Sequence, residues 1–404
     1  MARNGHSLTA EVVVVGGGPA GLTAASALAG AGVATVLIGR RPADDHRTTM
    51  LLASSVTAFE TLGVWARCQP QAAPLRVMRI IDDTARLLRA PEVTFAAAEI
   101  GLETFGYNIE NRYLLAALDA AADKLTSLTR IEDEAHAVEI DERGVTIILK
   151  AGGTVTAQLA IGADGRNSLC RTAAGIATDG RDYPQTALTF NLRHARPHRD
   201  ISTEFHTESG PFTLVPLPGT RSSLVCVLNP SDAAQFAALD DIALAEELER
   251  RAHSILGRFE IEAGRGVFPL AVATARKFGL NRVALVGEAA HLIPPIGAQG
   301  LNLGLRDAAT IGELVVGAHR DGGDIGAADV LERYDALRRA DIKTRAFAID
   351  LLNRTLLSDF LPVQGVRGLG LFLLDRIGPL RRAVMREGVA PAISQPRLMR
   401  GELL

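Results

Sequence analysis

The ten residues from Val12 to Gly21, VVVVGGGPAG, restrict this 404-residue chain more than any other stretch. Four successive valines read as a strand buried on both faces, and Pro19 to Ala31 reads as an Ala-rich helix. Between them Gly16, Gly18 and Gly21 fill a GxGxxG pattern, along with Pro19 and Ala20. Glycines here permit a tight turn and close approach of a ligand to the backbone, and the helix N-terminus can face a pyrophosphate. Ala34 to Ile38 supplies a second strand, so the chain opens as a βαβ unit of the dinucleotide-binding kind. A merely tight structural turn is the competing reading, which the strand and helix on either side disfavour.

Which dinucleotide is held is ambiguous at this point. The acid expected at the end of the second strand, where it would accept ribose hydroxyls, is replaced by Gly39, followed by Arg40 and Arg41. Those arginines suit the 2′-phosphate of NADP and would make the chain a dehydrogenase; they also suit a solvated turn. Two later segments bear on the choice. IGADGRNSLCR, 161–171, ends a strand at Gly162 and places Asp164 before a helix starting near Asn167 and Ser168, where Asp164 could simply cap. VALVGEAAHLIPPIGAQGLNLGLRDA, 283–308, ends a strand at Gly287, offers the Glu288 carboxylate, and stiffens a loop with Pro294 and Pro295 before another helix.

Together the three segments resemble the flavin monooxygenases of the para-hydroxybenzoate hydroxylase fold, whose signature is an N-terminal GxGxxG, a central Asp-Gly and a late Gly-Asp. The run GAQGLNLGLRD is most similar to the ubiquinone-biosynthesis ring hydroxylases of that group, and RGLGLFLLDRIGPLRR, 367–382, resembles their C-terminal region. The resemblance implies a bound FAD. Gly16, Gly18 and Gly21 would approach its pyrophosphate, Asp164 would belong to the motif linked to both FAD and NAD(P)H, and Glu288, where the family has Asp, would meet the ribityl chain after Gly287. Arg47 resembles the family's arginine near the pyrophosphate, where a guanidinium fork suits phosphate oxygens; a surface salt bridge is its plainer reading. Asn111 resembles a polar residue against the flavin, and an ordinary helix cap is nearly as good an account. Arg40 stays a cofactor-binding candidate.

A single GxGxxG between strand and helix leaves no second Rossmann unit to hold a nicotinamide permanently, so NAD(P)H is expected as a transient co-substrate. The resemblance implies that it reduces the flavin, that a C4a-hydroperoxide forms with O2, and that the terminal oxygen passes to an electron-rich phenolic ring. The protein then supplies position and environment. The loop through Pro294, Pro295, Ile296 and Gly297 can wall the isoalloxazine against water. The helix after Gln299, Gly300 and Leu301 can aim its N-terminal amides at the pyrimidine edge, with Asn302 assisting. His291 is the one titratable candidate base within the motif, although a histidine in GEAAH more often packs or caps. His194 and His206, farther away, carry no stronger argument.

The chain exceeds the size at which one core usually stops growing, so two packed lobes are expected. The fold class is α/β: a Rossmann-like FAD-binding domain over 1–75, 98–180 and 270–330, an inserted β-sheet substrate domain over 76–97 and 181–269, and a C-terminal helical region over 331–404. Within the insertion, strands are expected at Ala187 to Leu192, Phe212 to Pro216 and Ser223 to Leu228, and a helix around Ile242 to Leu256. Hydrophobic residues at 47%, charged residues at 22% and a net charge of −3 disfavour disorder and a nucleic-acid partner. Scattered Cys68, Cys170 and Cys226 suggest neither disulfides nor a metal site, and fit a reducing cytoplasm.

Residues 354–404 hold eight arginines, no lysine and four acids among apolar clusters. Phe360 to Leu374 is too short and broken to span a bilayer, but such a tail suits the inner face of a membrane or a complex of ubiquinone-biosynthesis proteins as well as ordinary packing. The substrate expected from the resemblance is a polyprenylated phenol. A small soluble aromatic substrate, or a non-catalytic FAD-binding subunit, are the alternatives.

Overall fold

A computed structural model describes residues 7–41, 44–85, 89, 91–262, 264–294, 299–357, 376–389 and 395–404, with backbone only over 346–357. The valine run forms β1 (Val12–Val15), all four residues buried, and sits centrally in a six-stranded sheet. It pairs in parallel with β2 (Thr35–Ile38) on one side and β8 (Leu159–Gly162) on the other. β7 (Leu128–Ile131) continues the sheet beyond β2, and β14 (Val283–Leu285) beyond β8. A strand covered on both faces needs apolar side chains in both directions, which is why these segments are continuous rather than alternating. One cover is α1 (Pro19–Gly30) packed on α6 (Gln299–Arg320); α2 (Ala53–Thr61) also packs on α6, and α3 (Asn111–Ala122) on α1.

The second lobe is a nine-stranded sheet. Its centre is β9 (Thr178–His194), which pairs with β12 (Arg221–Leu228) and β13 (Gly266–Ala275); β11 (Pro211–Leu217) and β10 (Ile201–His206) follow β12. β4 (Val77–Asp82) then pairs in parallel with β10, and β5 (Val93–Ala96) closes that edge. Alternation sorts its faces. Phe190, Phe205, Phe212 and Leu224 face α4 (Pro230–Ala238) and α5 (Asp241–Arg251) in one core. The opposite face meets the first lobe: Asn191 donates to His46 O at 2.8 Å, and Asn108 donates to Pro216 O and Ser223 Oγ at 3.0 and 3.1 Å.

The strand β9 begins nine residues before the apolar run Ala187 to Leu192, because its exposed first half is held by pairing with β13 rather than by burial. The helical segment expected around Ile242 to Leu256 is α5, ending at Arg251, and α4 precedes it with Asn229 as N-cap. A small three-stranded antiparallel sheet, in which β6 (Gly106–Glu110) pairs with β3 (Thr48–Leu52) on one side and with Ala72–Pro74 on the other, links the lobes and is invisible to local pattern, since β3 and β6 are held by each other some sixty residues apart. The C-terminal region holds α7 (Ala328–Leu357) and α8 (Gly378–Val389). The apolar run Phe360 to Leu374 singled out above lies outside the described residues. The three cysteines are buried and unpaired.

Candidate FAD and active site

The Gly-rich turn is built by exclusion. Gly16 has φ +124°, and a Cβ there would lie 2.1 Å from Ala163 O; one on Gly21 would lie 2.0 Å from Gly16 O. A Cβ on Gly18 would meet nothing within 4 Å. The first two glycines let the β1, α1 and β8 backbones close on one another, whereas Gly18 leaves open space at the start of α1. Pro19 opens that helix, Ala20 packs toward Gly287, and the first turn contains no acid to offset its positive end. Gly39 has a steric reason as well: its Cβ would stand 2.3 Å from Gly17 N, so no carboxylate fits there. Arg40 is ion-paired with Glu134 at 3.0 Å with its side chain 68% exposed, and Arg41 pairs with Glu132.

Arg47 and Asn111 come together through a residue that sequence reasoning did not single out. Asp45 accepts from Arg47 Nε and Nη2 at 2.9 and 2.7 Å, and from Asn111 Nδ2 at 3.0 Å. Asn111 Oδ1 in turn accepts from Thr49 Oγ1, so the side chain does not cap α3. Burial pushes the Asp45 carboxyl up, but the bonds from Arg47 and Asn111 hold it below the usual range. Bonding to Asp45 raises the Arg47 guanidinium, and the charge of Glu288 adds to that. Glu288 is itself exposed in the 3₁₀ turn Gly287–Ala289, so the two ends of the chain put a cation and an anion beside the same space.

Ser168 is the N-cap of the short helix Leu169–Ala173, its Oγ accepting from Arg171 N at 2.9 Å, and Asp164 Oδ2 accepts from Cys170 N in the same first turn at 3.1 Å. Its Oδ1 is buried without an N–H or O–H donor. The Cys170 thiol beside it is pushed well up, first by burial and then by the Asp164 charge. Arg171, quoted in the second segment without a role, donates to Ala289 O at 2.9 Å and Arg166 O at 2.8 Å. It therefore ties the Asp164 loop to the Glu288 turn.

That turn is held from below by a buried ionic network that the sequence did not reveal. Asp307 on α6, fully buried, accepts from Gly287 N at 3.0 Å and His291 Nε2 at 2.7 Å, while its Oδ1 accepts from Arg338 on α7 at 2.6 Å. Asp341 accepts from Arg306, Arg338 and Arg345, each at 2.8 Å, and Arg345 donates onward to Gln299 at the start of α6. Burial alone would raise Asp307, but His291 and Arg338 hold it below the usual range; Arg306 and Arg338 do the same for Asp341. His291 is 2% exposed and forms β15 (His291–Leu292) against β13, so its Nε2 is committed to Asp307 rather than free to take a substrate proton.

The start of α6 divides its labour. Gly300 is open, with nothing within 4 Å of a Cβ, and Leu301 packs on the core. Asn302 is a brace: Oδ1 accepts from Leu52 N and Ser55 Oγ at 2.9 and 2.7 Å, and Nδ2 donates to Met50 O at 2.8 Å. Pro294 is buried, whereas Pro295 and Gly297 lie outside the described residues. Beyond Met50, an apolar group of Ala53, Met78, Ile80, Phe95 and Phe105 runs to Met385 and Val389 on α8. Arg381 fastens α8 there, bonded to Glu99 and the Thr94 carbonyl, and stacked over Phe95.

Residues 9–346 match the model of the FAD binding domain family. The chain belongs to that family. Ubiquinone hydroxylase UbiL of Rhodospirillum rubrum is 36% identical, with 97% of this chain and 93% of that one covered. The 3-demethoxyubiquinol 3-hydroxylase of Escherichia coli is 32% identical over 93% and 97% of the two chains. Among solved structures, the p-nitrophenol 4-monooxygenase PnpA from Pseudomonas putida superposes with a TM-score of 0.78 at 19% identity, covering 94% of this chain and 98% of that one. The FAD complex of a Klebsiella pneumoniae HpxO variant gives 0.74 at 19%, covering 95% and 99%. These two show the fold.

Proposed function

We propose that this protein is an FAD-dependent monooxygenase that hydroxylates the aromatic ring of a polyprenylated phenol in ubiquinone biosynthesis, with NAD(P)H and O2 as co-substrates. The observation that supports the substrate class is the apolar group from Met50 through Met78, Ile80 and Phe95 to Met385 and Val389, in which Met50, Met78 and Ile80 keep part of their surface uncovered. A prenyl chain gains about 25 cal/mol for each Å² it buries against such a wall. A small aromatic acid would need an unengaged arginine instead. Arg79 lies on the helix-covered face, bonded to Thr203, and Arg221 is tied to Glu110 and Glu262. The names of the relatives support the same reading.

The cradle fits FAD on two counts: the vacant space at Gly18, which any Cβ would fill, and the Arg47 cation beside exposed Glu288. Gly16, Gly18, Pro19, Ala20 and Gly21 would hold the pyrophosphate with Arg47, Asn111 and Asp164 alongside, Gly287 and Glu288 would meet the ribityl chain, and the Gly300 and Leu301 amides would face the flavin ring. Bound FAD supplies the redox chemistry, accepting a hydride from NAD(P)H and activating O2. Asp307 and Arg338 fix the Glu288 turn, and Asn302 fixes the start of α6 against β3. Arg40 serves at most the outer edge of the cofactor through its pairing with Glu134.

The C-terminal region supports delivery of the substrate from the inner face of the membrane, or from partner proteins of the pathway. Helix α8 buries Arg381, Met385 and Val389 and exposes Leu380 and Val384 alongside Arg382 and Arg386. Among the described residues no helix is long and apolar enough to cross a membrane. The test is direct. The purified protein should be yellow with FAD, should oxidise NADH or NADPH with O2, and should add one oxygen to 2-geranylphenol, seen by mass spectrometry. Protein that stays colourless after FAD is added overturns the flavin assignment. Unchanged quinone content after gene deletion, in a strain without a redundant enzyme, overturns the pathway.

A further inference from the structure

The lobe-facing side of the large sheet carries one pair of titratable groups that the reading above leaves unused. Glu204 and His206 are two residues apart on β10, hence on one face, and Phe205 between them is buried in the helix-covered core. His206 Nε2 stands 2.7 Å from Glu204 Oε1, and Thr213 Oγ1 donates to Glu204 Oε2 at 3.3 Å. The two side chains differ in access: His206 is 4% exposed and Glu204 21%. Across the ladder Glu204 lies between Thr213 on β11 and Ile80 on β4, and Ile80 belongs to the apolar wall that begins at Met50. Asp82, opposite His206 across the ladder, is a further acid on this face, and it accepts from Thr84.

An anion placed here is costly unless it serves a partner. A phenol hydroxyl placed beside apolar side chains loses water and needs an acceptor. Burial would raise Glu204, but the bonds from His206 and Thr213 hold it below the usual carboxylate range, so it presents a charge at neutral pH. We propose that Glu204, oriented by His206 and Thr213, is the catalytic base that accepts the proton of the substrate's phenol hydroxyl. This rests on the reading that the substrate is a phenol, and is independent of whether that phenol carries a prenyl chain.

As the ring begins to bond to the incoming oxygen atom its hydroxyl becomes strongly acidic. The phenol O–H bond breaks and its proton bonds to Glu204. The electron pair released moves into the ring and supports the new C–O bond, whose oxygen comes from O2, with two electrons from NAD(P)H. Rearomatisation expels the hydrogen of the attacked carbon as a proton, which leaves in the water formed with the second oxygen atom. The proton on Glu204 then returns to the product oxygen. His206, through its Nε2–H, is a positioning residue that steadies Glu204 in both charge states.

The experiment uses the FAD-loaded full chain with two probes, 2-geranylphenol and phenol, and compares wild type with Glu204→Gln, Glu204→Asp and His206→Asn. Loss of a general base costs about 10²–10⁴-fold in turnover. Glu204→Gln should therefore lose hydroxylation by at least 100-fold while its flavin spectrum and its flavin reduction by NADH stay as in wild type, the reducing equivalents appearing as hydrogen peroxide. The acid limb of the wild-type pH profile should vanish in Glu204→Gln, persist in Glu204→Asp and shift in His206→Asn. A test on the wild type guards against a misfolded variant: the methyl ether of 2-geranylphenol, which has no proton to give, should bind but not react. Glu204→Gln within threefold of wild type, or efficient hydroxylation of the methyl ether, overturns the base. Turnover of phenol but not 2-geranylphenol, with the Glu204→Gln loss intact, overturns the prenylated substrate and leaves the base standing; turnover of neither overturns both.

Discussion

Replacing Arg338 by Met should unfasten the flavin-holding turn from the C-terminal region. The guanidinium is 3% exposed and bonds both Asp307 and Asp341. Without it, Asp307 keeps only the Gly287 amide and His291 as donors in a fully buried site. Removing one partner of a buried ion pair costs about 3–5 kcal/mol, because the other charge stays desolvated and uncompensated. With urea slopes of about 1–3 kcal/mol per molar, the unfolding midpoint of this lobe should fall by at least about 1 M. Trp65, the single tryptophan, is buried in the first lobe's core and 4.9 Å from Tyr107, so its fluorescence reports on that lobe by itself. Asp307→Asn added to Arg338→Met removes the stranded charge and should recover part of the loss, a coupling visible in a double-mutant cycle. A midpoint shift under about 0.3 M, or strictly additive effects, would refute the view that these charges depend on each other.

Three more outcomes follow from the same geometry. Gly18→Ala should fold normally yet bind FAD at least about tenfold more weakly, whereas Gly39→Ala should lose about 1–3 kcal/mol of stability before FAD is added, since only the latter Cβ meets protein backbone; titration of flavin fluorescence and thermal melts of FAD-free protein separate the two. The depressed Asp307 and Asp341 carboxyls stabilise the fold above the ordinary carboxylate pKa of about 3.9 and lose that contribution as pH falls through their lower folded values, so acid unfolding should set in below about pH 4 and be shallower in Asp341→Asn. If α8 meets an anionic bilayer, Leu380→Glu with Val384→Glu should abolish flotation with phosphatidylglycerol vesicles and leave turnover of 2-geranylphenol in detergent unchanged; flotation equal to wild type would point to protein partners instead.

Much of the fold was legible because it is written in local pattern. Valine runs fully buried, a turn that tolerates no Cβ at Gly16 or Gly21, and helices bounded by Pro19 and Asn111 announce themselves within a few residues of chain. Asn111 shows where this legibility stops: its place at the head of a helix was plain, but its partners Asp45 and Thr49 lie more than sixty residues earlier. Likewise His291 was noticeable as a titratable residue inside the motif, whereas its fixation by Asp307 depends on α6 and α7 packing beneath the turn. Strands β3 and β6 carried no usable signal, since their stability comes from each other.

The sequence alone determined that a dinucleotide is held and, through three separated segments, which family holds it. A steric requirement of the backbone and a short run of residue types suffice for that. Only the tertiary structure decided which charges meet. It closed Gly39 against Gly17, paired Arg40 away at the surface, joined Arg47 to Asp45, and set Glu204 and His206 on the face that looks toward the flavin lobe. Ion pairs act over a few ångströms of space and any distance of chain, so their partners cannot be read from residue order.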